Sequence, residues 1–183
     1  IEGASVNTSA LEQTSNYSLT SNSNKTSPEA VGRKSVGSQF VKSGDWNFEP
    51  RYTHTLYLRF SQPFKNGEKY LITVNDAVTD CGDKSAEFLV DYKKTRSESI
   101  HITQIGFLPV TAKRGFLSCW AGTMGPIDFF EAAKAGFEIV DRSGNIVQKG
   151  ALVLRRKADE PGDDAYKNNF QRCDLYEFDF SEL

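Results

Sequence analysis

The feature that most constrains this chain is a series of short alternating apolar runs, separated by turn residues, that continues from Thr55 to the end. Alternation of apolar and polar residues is typical of half-buried strands, and no long stretch keeps the helical period of about 3.6 residues. Several such strands with turn chemistry between them are typical of β-sandwiches. Because 183 residues suffice for two sandwiches of about 100 residues each, we predict an all-β fold of two sandwiches in tandem.

The first half contains one strong turn signal. The runs TLYLRF (55–60) and KYLITV (69–74) flank Asn66–Gly67, a pattern that predicts a β-hairpin. The first 50 residues are polar, so we expect loops with short edge strands there, and we expect residues 20–38 to be the most mobile.

A boundary and a second set of patterns follow. Residues 93–99, KKTRSES, carry no apolar anchor, which favours a domain boundary there. FFEAAKAG (129–136) contains helix formers and predicts a short helix. GFEIV and NIVQKG flank a turn at 141–145, and YEFDF (176–180) predicts a strand with alternate aromatic residues on one face and with Glu177 and Asp179 toward solvent.

Composition and motifs exclude several classes of function. The formal net charge of −2 gives no basic surface for nucleic acid, and no apolar run reaches the length of a membrane span. The sequence contains no nucleophile elbow, phosphate-binding loop or zinc-protease motif. His54 and His101 lie in strand-like runs, where a solvent-facing role is commoner than catalysis. We therefore expect no catalytic residue, no metal site and no cofactor in this chain.

Three weaker candidates keep two interpretations each. Trp46, in SGDWNFEPRY with Phe48 and Tyr52 nearby, is either a sugar-stacking, substrate-binding residue or an anchor of the sandwich. The carboxylates of loop 159–164 are either solvated or a weak Ca²⁺ site. Of the cysteines, either all three are reduced or one pair is oxidised, and a Cys119–Cys173 bridge is the best single pairing.

Residues 98–183 resemble a known module. ITQIGFLPVTAKRGFLS is similar to the opening of the immunoglobulin-like module that precedes the catalytic domain in many family 9 glycoside hydrolases, the cellulase N-terminal Ig-like domain. Two further motifs follow in order, GFEIVDRSGNIVQKGAL and LYEFDFSEL. The matching positions are Gln104, Gly106, Phe107, Pro109, Lys113, Phe137, Val140, Asp141, Gly144, Val147, Gly150, Asp179, Phe180, Ser181 and Leu183.

The first half resembles bacterial Ig-like modules more loosely, through LRFSQPFKNGEKYLITVNDAVTDCGDK. The two resemblances imply Ig-like β-sandwiches at 1–93 and 98–183. The family continues past its Asp-Phe-Ser with a further strand and an α/α-barrel, so we expect the second sandwich to be truncated. On this basis Tyr176–Phe180 would lie beside an unpaired edge.

The resemblance implies a non-catalytic accessory region of a secreted or cell-surface bacterial glycoside hydrolase acting on β-glucan. Its partners would be the catalytic α/α-barrel of the same polypeptide and β-glucan polysaccharide, with no nucleic acid and no membrane span. The family's catalytic Asp and Glu have no matching positions in this sequence. The alternative is a stand-alone carbohydrate-binding or adhesin-like surface module.

Overall fold

The computed structural model describes residues 5–183, and the fold is all-β, with 40% of residues in strands and 7% in helices. The chain forms two compact units. The first contains the described residues up to Thr95 together with Ala121–Met124, and the second contains Arg96–Trp120 and Gly125–Leu183. The main division therefore falls between Thr95 and Arg96, within the charged segment 93–99.

The first unit contains an antiparallel four-stranded sheet of order β2-β1-β5-β6 and a separate two-stranded ribbon, β3–β4. Two buried clusters hold it together: one surrounds Leu11 and Tyr17, and the other surrounds Leu19 and Tyr70. The strands are β1 Tyr17–Ser21, β2 Asn24–Thr26, β3 Ala30–Lys42, β4 Phe48–Arg59, β5 Lys69–Val74 and β6 Ser85–Leu89.

The hairpin predicted around Asn66–Gly67 is wrong. β4 pairs with β3, whereas β5 pairs with β1 and β6. The Asn-Gly turn instead holds the end of β6: the Gly67 N–H donates to the Val90 carbonyl, and the Asn66 Oδ1 accepts from the Tyr92 N–H. Gly67 has a φ of 79°, so the turn chemistry is present, but it serves a different pair of segments.

The prediction of loops with only short edge strands in the first 50 residues is wrong for residues 30–42, whereas the mobility expected for residues 20–38 stays a prediction. Residues 30–42 form a 13-residue strand, β3, which pairs along its whole length with the 12-residue strand β4. The side chains from 34 to 40 are exposed. We call residues 34–53 of β3, β4 and the turn between them the outer ribbon. The sequence there has no apolar alternation, because neither face of the outer ribbon is buried.

The second unit contains an antiparallel four-stranded sheet of order β11-β12-β8-β7 and the hairpin β9–β10. The predicted hairpin around 141–145 and the predicted helix are both confirmed. The elements are β7 Ile100–His101, β8 Arg114–Leu117, α1 Phe130–Ala135, β9 Phe137–Val140, β10 Ile146–Gly150, β11 Val153–Arg156 and β12 Leu175–Asp179.

The last strand, β12, lies in the middle of its sheet. It pairs with β11 on one side and β8 on the other, so the expected unpaired edge beside this strand is wrong. Tyr176, Phe178 and Phe180 are buried, as the alternation predicts. Glu177 does not point freely to solvent: it forms ion pairs with Arg114 at 3.7 Å and Arg155 at 3.3 Å, one from each neighbouring strand.

Candidate functional site

Four of the motif residues named above, Phe107, Lys113, Phe180 and Ser181, lie together in the second unit. This lysine is only 8% exposed. Its Nζ donates to the carbonyls of Pro109 (3.0 Å) and Ser181 (3.5 Å), and its backbone N–H donates to the Ser181 Oγ at 2.8 Å. The Phe180 N–H donates to the Lys113 carbonyl at 2.8 Å. A buried ammonium needs such partners, so this motif cluster fastens the chain after β12 to the chain before β8.

Aromatic rings extend the motif cluster into the core of the unit. Phe107 packs edge-on against Phe180 at 5.1 Å between ring centroids, and Phe178 stacks against Phe180 at 6.0 Å. Phe137 lies 5.3 Å from Phe178. Gly106, just before Phe107, has a φ of 87°, a conformation that glycine adopts without strain.

Three motif positions lie in turns or at the surface. The Asp141 carboxylate accepts from the backbone N–H groups of Ser143 and Asn145, and Gly144 has a φ of 85°. Hydrogen bonds from the Asn145 side chain and backbone hold the pKa of Asp141 below its usual range. Gln104 is exposed and lies in the loop after β7. These positions shape turns.

The Asp179 carboxylate closes the turn that follows β12. It accepts from the Ser181 N–H at 2.9 Å and forms an ion pair with Arg114 at 3.4 Å. Hydrogen bonds from Ser181, and then Arg114, lower its pKa. A carboxyl group with a lowered pKa is a poor proton donor near neutral pH, and the contacts of Asp179 close the turn after β12.

Three carboxylates of the acidic loop 159–164, which follows β11, each have a partner of their own. Asp163 pairs with Arg156, the Glu160 Oε2 accepts from the Lys157 N–H, and Asp164 accepts from the Asn168 N–H. Among residues 5–183, no group of three or more His, Cys, Asp or Glu side chains is placed to hold a metal ion. The loop also borders a surface pocket lined by Leu154, Arg155, Arg156, Lys157, Asp159 and Glu160.

The histidines and cysteines lie in ordinary structural positions. The His54 Nδ1 is 2.8 Å from the Ser35 Oγ on the neighbouring strand, and the His101 Nε2 is 3.0 Å from the Ser118 carbonyl. All three cysteines are free thiols. Cys173 is buried, and its burial raises the pKa of the thiol.

The ribbon β3–β4 carries four exposed aromatic residues: Phe40, Trp46, Phe48 and Tyr52. Successive residues of a strand alternate between its two faces, so Phe48, Pro50 and Tyr52 lie on one face of β4. Across the ribbon, Phe40 is opposite Pro50, and Gly37 is opposite Tyr52. The exposed fractions are 75% for Phe40, 52% for Phe48 and 56% for Tyr52. We call this surface the aromatic face.

Trp46 lies in the turn that joins the two strands and is 92% exposed. This exposure contradicts the interpretation of Trp46 as an anchor of the sandwich, and its sugar-stacking role stays a prediction. Trp46 lies two residues before Phe48, the first residue of β4. The opposite face of the outer ribbon carries Val36, Gln39, Glu49, Arg51 and Thr53.

The base of the ribbon is fixed within the first unit. Val31, Leu56 and Leu58 pack against the buried cluster that contains Leu11. The Arg33 N–H donates to the Thr123 Oγ1 at 3.0 Å, the Arg33 side chain pairs with Glu12 at 3.3 Å, and Thr123 donates to Glu12. The base of the ribbon is therefore packed and hydrogen-bonded, whereas the side chains at 34–40 and 42–53 of the outer ribbon are exposed.

Comparisons with protein-family models, with curated proteins and with solved structures found no match for this chain. No helix among residues 5–183 is long and apolar enough to cross a membrane. Sequence reasoning singled out Trp46, Phe48 and Tyr52 but missed Phe40. The two polar segments that flank SGDWN could have indicated a hairpin. Phe40 lies opposite Pro50 because the segment before SGDWN is the strand β3.

Proposed function

We propose that the chain is a non-catalytic accessory region of a family 9 glycoside hydrolase that acts on β-glucan, built from two Ig-like modules. In this role the second unit supports an α/α-barrel of the same polypeptide. The observation that carries the proposal is the convergence of the motif residues. Lys113 and Ser181, 68 positions apart, meet with Phe107 and Phe180 in one cluster, in which Lys113 and Phe180 are buried.

The chemistry of the described residues supports a role without catalysis. A glycosidase needs one carboxyl that donates a proton and a second carboxylate as base or nucleophile. Turn hydrogen bonds lower the pKa of Asp179 and of Asp141, which disfavours either as the proton donor, and Glu177 is shared between two arginines. These carboxylates stabilise strands and turns.

A stand-alone carbohydrate-binding or adhesin-like module is the second candidate. The exposed aromatic face of the ribbon favours it, because three large rings on one solvent-facing surface are unusual for a spacer. The two candidates share the polysaccharide and differ in whether an enzyme is attached.

Two experiments test the proposal. The reading frame beyond the codon for Leu183 is expected to encode an α/α-barrel with the family 9 catalytic carboxylates; an unrelated domain there would contradict the proposal. The 183-residue chain itself is expected to release no reducing ends from soluble β-glucan above the level of a heat-denatured sample. Release that depends on the folded chain would make it an enzyme and overturn the accessory role.

A further inference from the structure

We infer that the aromatic face of the β3–β4 ribbon is a binding platform for an uncharged β-glucan chain. The inference rests on the proposed function for the class of polysaccharide, and it adds the site. The platform consists of Phe40, Phe48 and Tyr52, with Trp46 at the end of the same ribbon.

The outer ribbon gains little stability from burial of its own side chains. From Arg33 to Lys42 the ribbon advances roughly 30 Å, at about 3.3 Å per residue. An isolated two-stranded hairpin is only marginally stable in water, and this one exposes four large aromatic side chains: Phe40, Trp46, Phe48 and Tyr52. A ligand that covers the rings removes apolar area from water, and this burial contributes favourable free energy to binding.

The shape of the aromatic face fits a chain of sugar rings. Phe48 and Tyr52 are four residues apart on β4, about 13 Å along the strand, and Phe40 lies between them across the ribbon. The rings therefore form a strip along the strand and do not surround a closed pocket. The β-linked glucose unit presents C–H groups on both faces of its ring and hydroxyls at its edges, so successive units stack on such a strip.

The charge of the outer ribbon also favours an uncharged ligand. Residues 34–53 carry three basic side chains (Lys34, Lys42 and Arg51) and two acidic ones (Asp45 and Glu49). The near balance provides no strong attraction for an acidic polymer or an anionic membrane surface. The opposite face carries Gln39, Glu49 and Arg51, which would be costly to insert among lipid chains.

The edges of the ribbon disfavour a partner that adds a strand. A register shift lies between Gly37 and Gln39 in β3, and Pro50 has no N–H to donate. Bulges and prolines are features that discourage edge-to-edge pairing. The ribbon therefore presents its aromatic face as its recognition surface.

The test uses the full 183-residue chain in native gels containing soluble mixed-linkage β-glucan, and sedimentation with insoluble cellulose. Wild type is expected to be retarded. Phe48→Ala and Tyr52→Ala are each expected to weaken binding about 10-fold, an effect of the size seen when one aromatic partner of a stacked ring is removed. Phe48→Trp is expected to retain binding, because it keeps a flat ring at the same position.

Two control variants separate the platform from general surface effects. Val36→Ala changes an apolar side chain on the opposite face of the same ribbon, and Phe170→Ala removes a ring that is 82% exposed in the second unit. Both are expected to bind like wild type. Circular dichroism melts of every variant check folding; the substituted rings are exposed, so unchanged melts are expected.

Three results would overturn the inference. One is binding that persists in the Phe48→Ala, Tyr52→Ala double variant, since the platform would then lie elsewhere. Another is ribbon-dependent sedimentation with phosphatidylcholine–phosphatidylglycerol vesicles and not with glucan, which would make the ribbon a membrane contact. The third is no retention of wild type by any glucan. In that third case the platform is refuted, and the proposed function is tested separately by the reading frame beyond Leu183.

Discussion

Replacing Ser181 by alanine tests whether the motif cluster holds the second unit together. The Ser181 Oγ accepts from the Lys113 N–H at 2.8 Å and also donates to Asp179. Lys113 is buried, so Ser181→Ala removes the acceptor of a backbone N–H in a largely buried residue. An unsatisfied buried donor costs about 1–3 kcal/mol, and we expect Ser181→Ala to lower the free energy of unfolding by about 2 kcal/mol.

The measurement needs a signal from the second unit alone. The sequence contains two tryptophans; Trp46 belongs to the first unit and Trp120 to the second. Because Trp46 is exposed, a Trp46→Phe background leaves Trp120 as the single reporter with little effect on folding. Urea unfolding followed by Trp120 fluorescence then gives the stability of the second unit.

Ser143→Ala is the matched control, because Ser143 is an exposed serine in the turn between β9 and β10. It is expected to change the unfolding free energy by less than about 0.5 kcal/mol. For a unit of this size, a loss of about 2 kcal/mol corresponds to a Tm lower by roughly 8–16 °C. If Ser181→Ala is as stable as Ser143→Ala, the motif cluster does not hold the unit and the reasoning is refuted.

Three other predictions follow from single contacts. Gly115→Ala is expected to destabilise the second unit by about 1–3 kcal/mol, because the added Cβ would clash with the Phe178 ring; Ser143→Ala, an exposed position of the same unit, is the urea-melt control and equal effects would contradict the packing. The lowered pKa of Asp141 means that its carboxylate stabilises the fold above pH ~4 and loses this effect as the pH falls through the native pKa, so the stability difference between wild type and Asp141→Asn should shrink in acid; a constant difference from pH 7 to 2 would contradict this. Cys173, buried and with a raised thiol pKa, is expected to react with an aromatic disulfide reagent at pH 8 more slowly than the half-buried Cys81, as followed by peptide mass spectrometry; equal rates would contradict its burial.

Local patterns in the sequence predicted the elements whose partners are close in the chain. The β9–β10 hairpin follows from Asp141 and Gly144, whose side chain and backbone freedom specify the turn. Helix α1 follows from the helix formers in FFEAAKAG, and the buried face of β12 follows from its alternate aromatic residues. In each case the residues that decide the structure lie within a few positions of one another.

Pairings between distant segments were beyond these patterns. The order β2-β1-β5-β6 joins strands that are separated by the whole ribbon, and the alternation in β4 and β5 specifies a face without specifying a partner. β3 was missed because its outer side chains are exposed on both faces, and a fully solvated strand shows no period of two. The central position of β12 depends on β8 and β11, which no local signal connects to it.

For the candidate sites too, the sequence identified individual residues, whereas their contacts depend on the fold. Resemblance identified Lys113 and Ser181 as motif positions, but only the fold shows that one donates to the other. Trp46 was noticed because tryptophan is conspicuous, whereas its partners on the aromatic face depend on the register of the ribbon. Chemistry that depends on a long-range pairing cannot be derived from residue spacing alone.

The proposed accessory role is tested most directly by the heat-inactivation half-life of a polypeptide that joins residues 1–183 to the proposed α/α-barrel. We expect the polypeptide that contains residues 1–183 and the α/α-barrel to hydrolyse β-glucan, and we expect the barrel lacking residues 1–183 to lose activity faster on heating, because its supporting surface is removed. Ser181→Ala in the complete enzyme should shorten the half-life as well, and Ser143→Ala should leave it unchanged. Equal half-lives for the complete enzyme and the isolated barrel would contradict the account.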